Sequence, residues 1–359
     1  MSTSVALIFG GKSPEHEISI RSAKNIYGAI DKDRYTCHLL GISTQGEWFG
    51  LAPDWFEKNG STIGEGDAPL ALLPGNPHPI IYKTDGTPWE HIDVVFPIVH
   101  GPNGEDGSLQ GLLRLLDLPF AGPDVMASAV AMDKDLCKRV LSQANLLVAE
   151  HLTFGIHERE AIDYLSTVNR LGSPVFIKPA NMGSSVGVRK AKDKAAFDAA
   201  VEEAFLYDRK IIIETMLHGR EVECAVLGNE LAQMSHIGEV STPEAYSYEA
   251  KYISSTEAKV DIPANITDAQ LFKLQMVAKQ AYELCGCEGM SRVDMFLCEG
   301  DEVYVNEINT LPGFTSISMY PQLWEHAGLS YSDLIQELLE LALKRHQERK
   351  SLKTVNELT

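Results

Sequence analysis

Two carboxylates, an amide and a guanidinium fall within one short stretch, Ser291 to Ser318, which reads SRVDMFLCEGDEVYVNEINTLPGFTSIS. Apolar-rich runs flank Gly300-Asp301, a pair suited to a two-residue hairpin turn. With that turn, Asp294 sits opposite Glu307 and Arg292 opposite Asn309. Period-2 alternation then puts Arg292, Asp294, Glu307 and Asn309 on one face and sends Val293, Met295, Leu297 and Ile308 into a core. Carboxylates sharing a strand face repel and lose hydration, so they call for a counter-ion. Mg²⁺ takes hard oxygen ligands, typically one or two carboxylates plus nucleotide phosphates, and two ions can share a bridging carboxylate. A solvated hairpin with its acids on the wet side fits the same spacing, and the stretch alone leaves both readings open.

A lysine supplies the complementary charge. PVFIKP, 174 to 179, reads as a strand in which Lys178 interrupts an apolar run. Unpaired there it is costly, and a bound phosphate would relieve the cost. The loop that follows, ANMGSSVGV, sets Gly183 and Gly187 around Ser184 and Ser185, whose amides and hydroxyls could close over phosphates. Glu214 and Glu221 stand at a strand end and a strand start. They could accept from an adenine amino group and from ribose hydroxyls, or be ordinary strand-end acids. Lys134, on a helical segment spanning about 124 to 146, means little alone. Gly11-Lys12-Ser13 suggests a phosphate-binding P-loop, but that motif needs glycine where Ala6 stands, which excludes it.

The elements that must position these groups alternate. VALIF, 5 to 9, reads as a buried strand closed by Gly10-Gly11; a helix follows, with Ser13 as N-cap and Pro14 at its first position. YTCHLLGI and IDVVFPIV read as further strands, and the Gly-, Pro- and Asp-rich stretch between them, about 43 to 90, as a surface insertion. Strand-helix alternation implies an α/β parallel sheet with ligands beyond the strands' carboxyl ends, where Glu15 and His100 both lie. The last of these strands runs into a glycine-rich loop carrying His100, Glu105 and Asp106. Helices are expected over 193 to 206, 267 to 285 and 330 to 347, and the polar, tyrosine-rich connection 239 to 259 is expected to form a flap.

Composition narrows the class. A chain of 359 residues holds two or three domains, and 44% hydrophobic with 23% charged residues is ordinary for a globular protein. A formal charge of −19 argues against nucleic-acid or anionic-membrane partners. With no 18-residue apolar run and no basic leader, a cytoplasmic location is expected. The six dispersed cysteines read as free thiols.

Taken together, GGKSPEHEIS, HGPNGEDGSLQG, MDK, VFIKPANMGSSVGV, YEAKY, RVDMF and NEINTLPGFT resemble the D-alanine-D-alanine ligase family of the ATP-grasp superfamily across essentially the whole chain. The resemblance implies three domains: a Rossmann-like pre-ATP-grasp domain over 1–135, a small central ATP-grasp domain over 136–219, and a C-terminal domain over 220–359. It implies a homodimer using ATP and two Mg²⁺, with Mn²⁺ as an alternative ion, to make D-alanyl-D-alanine for peptidoglycan precursors. By motif position, Lys134, Lys178, Ser185 and Lys251 would contact phosphates, with Lys251 also at the second substrate's carboxylate. Glu214, Leu217 and Glu221 would hold adenine and ribose. Asp294, Glu307 and Asn309 would bind the metal ions, with Asn309 also on the nucleotide side. Glu15 would anchor the first substrate's ammonium, with His100 near its carboxylate. Ser318 would meet the second carboxylate, and Ser184 and Tyr252 would link with Glu15 across the closed loop.

The residue types suit that chemistry. A carboxylate is a poor electrophile until phosphorylation makes its oxygen a leaving group, after which an amine can attack. Transfer of the γ-phosphoryl group is mostly positioning and charge neutralisation. Arg292 and the amide of Gly313 are suited to the tetrahedral oxyanion, a role worth about 3 kcal/mol per donor. An acyl phosphate must be shielded from water, so the Gly183 to Gly187 loop and the 240 to 259 connection are the expected lids. The alternatives are another ATP-grasp carboxylate-amine ligase and a ligase that joins D-alanine to D-lactate, from which a tyrosine at 252 sets the dipeptide makers apart.

Overall fold

The computed structural model describes residues 2–58, 62–75, 80–241 and 259–353. The first strands are β1 (Thr3–Gly10), β2 (Tyr35–Ile42), β3 (Trp48–Leu51), β4 (Ala68–Ala71), β5 (Ile80–Lys83), β6 (Pro88–His91) and β7 (Val94–Pro97), in one seven-stranded sheet of order β6-β5-β4-β3-β2-β1-β7. Within this sheet, among the described residues, only β2, β1 and β7 pair in parallel, as expected from the alternation of strands and helices. The stretch 43 to 90, expected as a surface insertion, instead adds the antiparallel half of this sheet. Its strands have four residues each, too few for a period of two to stand out.

Gly10 ends β1 because little else fits: its φ is 89°, and a Cβ there would lie 2.3 Å from the Ile42 carbonyl oxygen. The helix that follows runs His16–Ala29, starting later than the expected Pro14. Ser13 Oγ accepts from the Glu15 amide at 3.1 Å, which shapes a preceding turn and makes Glu15 the N-cap residue. The Glu15 carboxylate caps nothing in the helix, and it reaches Ser184 instead.

The remaining strands are β8 (Leu147–Val148), β9 (His151–Gly155), β10 (Val175–Pro179), β11 (Arg189–Ala191), β12 (Lys210–Thr215), β13 (Gly219–Gly228), β14 (Gln233–Ser241), β15 (Lys259–Asp261), β16 (Gly289–Cys298) and β17 (Val303–Asn309). Four form an antiparallel sheet of order β11-β10-β12-β9, and six form a sheet of order β15-β14-β13-β16-β17-β8. The four-stranded sheet packs Val175, Ile177, Ile211 and Ile213 with Phe197 and Val201 of helix Lys194–Tyr207 in a core of its own. By contrast, Val5, Leu7 and Phe9 of β1 share a single core with Tyr320, Leu334 and Leu338 of the C-terminal helices. Arg345 fastens the same junction, donating to the carbonyls of Phe120 and Gly122 at 2.8 Å each.

The expected single helix over 124 to 146 is two, Val125–Met132 and Lys134–Gln143, broken at Asp133. The Asp133 carboxylate caps the second helix by accepting from the Leu136 amide at 3.0 Å, and it also pairs with Lys210 on β12. Helices Lys194–Tyr207, Asp268–Leu284 and Tyr331–Lys350 lie where the sequence places them, while Met319–His326 was unforeseen. All six cysteines are free. Among the described residues, no helix is long and apolar enough to cross a membrane.

Candidate active site

The hairpin of β16 and β17 has the expected register at its business end: Arg292 pairs with Asn309 and Asp294 with Glu307. It reaches that register by a different route. The connection is not a two-residue turn, since Glu299 to Asp301 form a short 3₁₀ turn closed by the Cys298 amide donating to Glu302 at 2.8 Å. The ladder near the turn is therefore offset by one residue, with Met295 opposite Val305, and a bulge at Asn306 restores the expected pairing at Asp294 and Glu307. Val293, Met295, Leu297 and Ile308 are all buried, as the alternation requires.

A third strand extends the acidic row. Glu223 on β13 lies opposite Asp294, so Glu223, Asp294 and Glu307 stand side by side across three neighbouring strands. Glu223 was missed from the sequence, although its alternation with Glu221 marked that face. Arg292 offsets the charge: Nε and Nη2 each donate to Asp294 at 2.7 Å, and Nε lies 2.8 Å from Glu223. Asn309 Nδ2 donates to Asp294 at 2.9 Å, and Lys134 Nζ stands 3.7 Å from Glu307 while donating to the Met182 carbonyl at 2.5 Å.

Opposite this row lies the face of the four-stranded sheet that carries Phe176, Lys178 and Glu214. The cost of burying Lys178 is met by the protein itself: Glu214 Oε2 is 2.6 Å from Lys178 Nζ, and Oε1 is 3.0 Å from Nζ of Lys138. Lys138 is fully buried and was not singled out from the sequence, because a lysine on an amphipathic helix normally reaches water. Burial would raise the Glu214 carboxyl, but Lys138 and Lys178 hold it well below the usual carboxylate range. Burial likewise lowers Lys178, and Glu214 more than reverses this. Between the two sheets lies a cavity of about 650 Å³ whose lining includes Lys134, Lys178, Ser185, Leu217, Glu221 and Glu307.

A second cluster adjoins it. Ser184 donates to Glu15, and both Ser184 and Ser185 hold positive φ, 50° and 58°. Glycine at 183 lets the loop approach: a Cβ there would stand 2.9 Å from Glu15 Oε2. Glu105 is half-buried and accepts from the amides of Gly101 at 2.6 Å and Leu311 at 3.3 Å; burial and then Glu15 push its carboxyl up. His100 is buried with both ring nitrogens engaged. Nδ1 donates to the Leu311 carbonyl at 3.0 Å, so Nε2 accepts from Ser22 Oγ at 3.2 Å, and Ser22 in turn accepts from the Phe314 amide at 3.2 Å. His100 thereby braces the Leu311 to Phe314 loop that carries the Gly313 amide. Ser318 Oγ accepts from the Thr315 amide at 3.0 Å beside Gly313, where a Cβ would meet that oxygen at 2.7 Å. Lys251, Tyr252 and most of the expected flap lie outside the described residues.

Lysines and acids facing one another across such a cleft can hold a polyphosphate and neutralise its charge during transfer. The family model described as D-ala D-ala ligase N-terminus matches residues 4–123, and that described as D-ala D-ala ligase C-terminus matches residues 140–340. The chain is 51% identical to a D-alanine-D-alanine ligase of Shouchella clausii, over 98% of this chain and 97% of that one. It is 50% identical to the ligase of the same name from Proteus mirabilis, over 99% of each. Among solved structures, the D-alanine-D-alanine ligase from Coxiella burnetii superposes with a TM-score of 0.87 at 37% identity, covering 98% of this chain and 96% of that one. With both halves matched in sequence and the whole chain matched in shape, this protein belongs to the D-alanine-D-alanine ligase family and has its multi-domain ATP-grasp fold.

Proposed function

We propose that the chain joins two molecules of D-alanine into D-alanyl-D-alanine for peptidoglycan precursors, converting ATP to ADP and phosphate through an acyl phosphate. The observation that carries this reading is the cleft: Lys178 and Glu214 on one wall, the Glu223, Asp294 and Glu307 row on the other, and Glu15 with Ser184 beside it. Leu217, Glu214 and Glu221 hold adenine and ribose, and Lys134, Lys178, Ser185 and Lys251 hold the phosphates. Glu15 takes the first D-alanine's ammonium, which points that molecule's carboxylate at the γ-phosphoryl group. His100 acts near that carboxylate through the loop it braces.

Asp294, Glu307 and Asn309 offer oxygen donors alone, which suits a hard cation. Asn309 turns its Nδ2 to Asp294, leaving Oδ1 as the donor to an ion. Among the described residues no three Asp, Glu, His or Cys side chains form a closed cage, so a nucleotide's phosphates would complete the shell. Two Mg²⁺ held there, or Mn²⁺ in their place, would supply charge neutralisation at the phosphates.

In the second half-reaction the amine of the second D-alanine, its carboxylate held by Ser318 and Lys251, attacks the acyl carbon. Arg292 and the Gly313 amide receive the negative charge that develops on the carbonyl oxygen, and phosphate departs. Ser184 and Tyr252 join Glu15 in a hydroxyl network that closes the loop over the intermediate. We assign the domains to 1–135, 136–219 and 220–359, and place the enzyme in the cytoplasm as a homodimer, as the family resemblance implies.

The test is phosphate release from ATP with D-alanine, with L-alanine and without amino acid, with the product identified by mass. D-alanine-dependent release together with the dipeptide supports the reading. Release indifferent to D-alanine, or none, overturns it.

A further inference from the structure

We propose that Lys138, wholly enclosed and out of reach of any substrate, is a positioning residue for nucleotide binding, acting through Glu214 to keep the Lys178 ammonium available to phosphate. This rests on the reading that the cleft binds ATP. Lys138 sits one helical turn beyond Lys134 and is 1% exposed. Its Nζ lies 3.0 Å from Glu214 Oε1 and donates to the Asn306 carbonyl at 3.3 Å. Asn306 is the bulged residue of β17, and a bulge leaves one backbone group unpaired in the ladder. One ammonium thus ties the helix Lys134–Gln143, a strand of the four-stranded sheet and a strand of the six-stranded sheet, at the floor of the cleft between those sheets.

Charge arithmetic gives this tie a purpose. Glu214 with Lys178 alone is a neutral pair, and a buried carboxylate with a single partner holds it tightly. With Lys138 added, the trio carries a net positive charge, and the carboxylate is shared between two ammonium groups. Lys178, 15% exposed at its side chain and lining the cavity, is the member that a polyphosphate can reach. Lys138 stays paired with the other carboxylate oxygen, so Glu214 keeps a counter-ion when Lys178 turns to a phosphate.

The experiment compares wild type with Lys138→Met, Lys138→Gln, Glu214→Gln and the Lys138→Met, Glu214→Gln double variant. Calorimetry with ADP gives affinity, steady-state kinetics gives KM for ATP and for D-alanine, and circular dichroism checks the fold. Lys138→Met is expected to weaken ADP binding and raise the KM for ATP by about ten- to a hundredfold, because it removes one of the two cations paired with Glu214. The KM for D-alanine should stay within about twofold. Lys138→Gln, which keeps a donor without the charge, should fall between. The double variant should bind ADP no more weakly than Glu214→Gln alone, because Lys138 acts through that carboxylate. Unchanged ADP affinity in a folded Lys138→Met protein overturns the proposal, as do equal losses for both substrates, additive losses in the double variant, or failure of both Lys138 variants to fold. Failure of the wild type to bind ADP would instead sink the reading of the cleft.

Discussion

His100 makes stability depend on acid in a way that can be measured. Its imidazole is enclosed between the Leu311 carbonyl and Ser22 Oγ. Burial drives its pKa from 6.5 down to about 4, with Arg292 adding to the fall and the Leu311 carbonyl partly offsetting it. In the unfolded chain the same ring protonates near 6.5. The folded state therefore binds fewer protons, and the stability linked to this group is full above 6.5 and is lost as the pH falls toward 4. The gap amounts to about 3 kcal/mol at its limit. His100→Gln removes the titration while leaving a side chain that can still donate and accept. Denaturant unfolding of the two proteins between about pH 7 and about pH 4 should show a difference that shrinks by about 3 kcal/mol toward the acid end. Taking this difference cancels the other titrating groups. A difference that stays flat with pH would show that the ring is not held neutral. Normal turnover at neutral pH in His100→Ala, which can make neither bond, would show that the brace on the Gly313 loop is dispensable.

Other perturbations separate the remaining roles. Arg292→Ala leaves the Asp294 and Glu223 carboxylates facing each other with no guanidinium between them, so stability should drop by about 3–5 kcal/mol and kcat by about 10²–10³-fold. Adding Glu223→Gln should recover part of the stability and none of the rate; recovery of both in a denaturation and rate assay would make Arg292 purely structural. If Glu307 holds magnesium as proposed, Glu307→Gln should raise the magnesium concentration needed for half-maximal rate, and titrations that coincide with wild type would show that it holds none. Gly183→Ala pushes a methyl group to within 2.9 Å of Glu15 Oε2, so the KM for D-alanine should rise by about tenfold while ADP affinity holds. Equal KM values would place Glu15 away from the amino acid.

The hairpin of β16 and β17 shows what a sequence discloses and what it conceals. Alternation specified which side of each strand faces the core, because burial of Val293, Met295 and Ile308 tolerates no slip. The turn was misjudged by one residue and the Asn306 bulge was invisible, yet the two errors cancel at Asp294 and Glu307. Glu223 was hidden for another reason: β13 joins β16 only through a register that pairs distant segments, and nothing local specifies it. Lys138 and the break at Asp133 were missed because helical periodicity describes a helix's faces, while their roles come from partners on β12, Lys210 and Glu214. Strands of four residues in the stretch 43 to 90 carried too little pattern to separate them from loop.

The shared core of the two chain ends decides how this molecule can come apart. Because β1 and the C-terminal helices bury their apolar side chains against each other, a fragment starting near 125 would expose Met290, Leu311, Tyr320 and Leu338 to water and should aggregate rather than function. The four-stranded sheet, with its private interior, can shift without opening that shared core. A molecule wedged in the cleft between the four-stranded and six-stranded sheets would therefore hold them apart without disturbing the shared core, and it need not resemble any substrate.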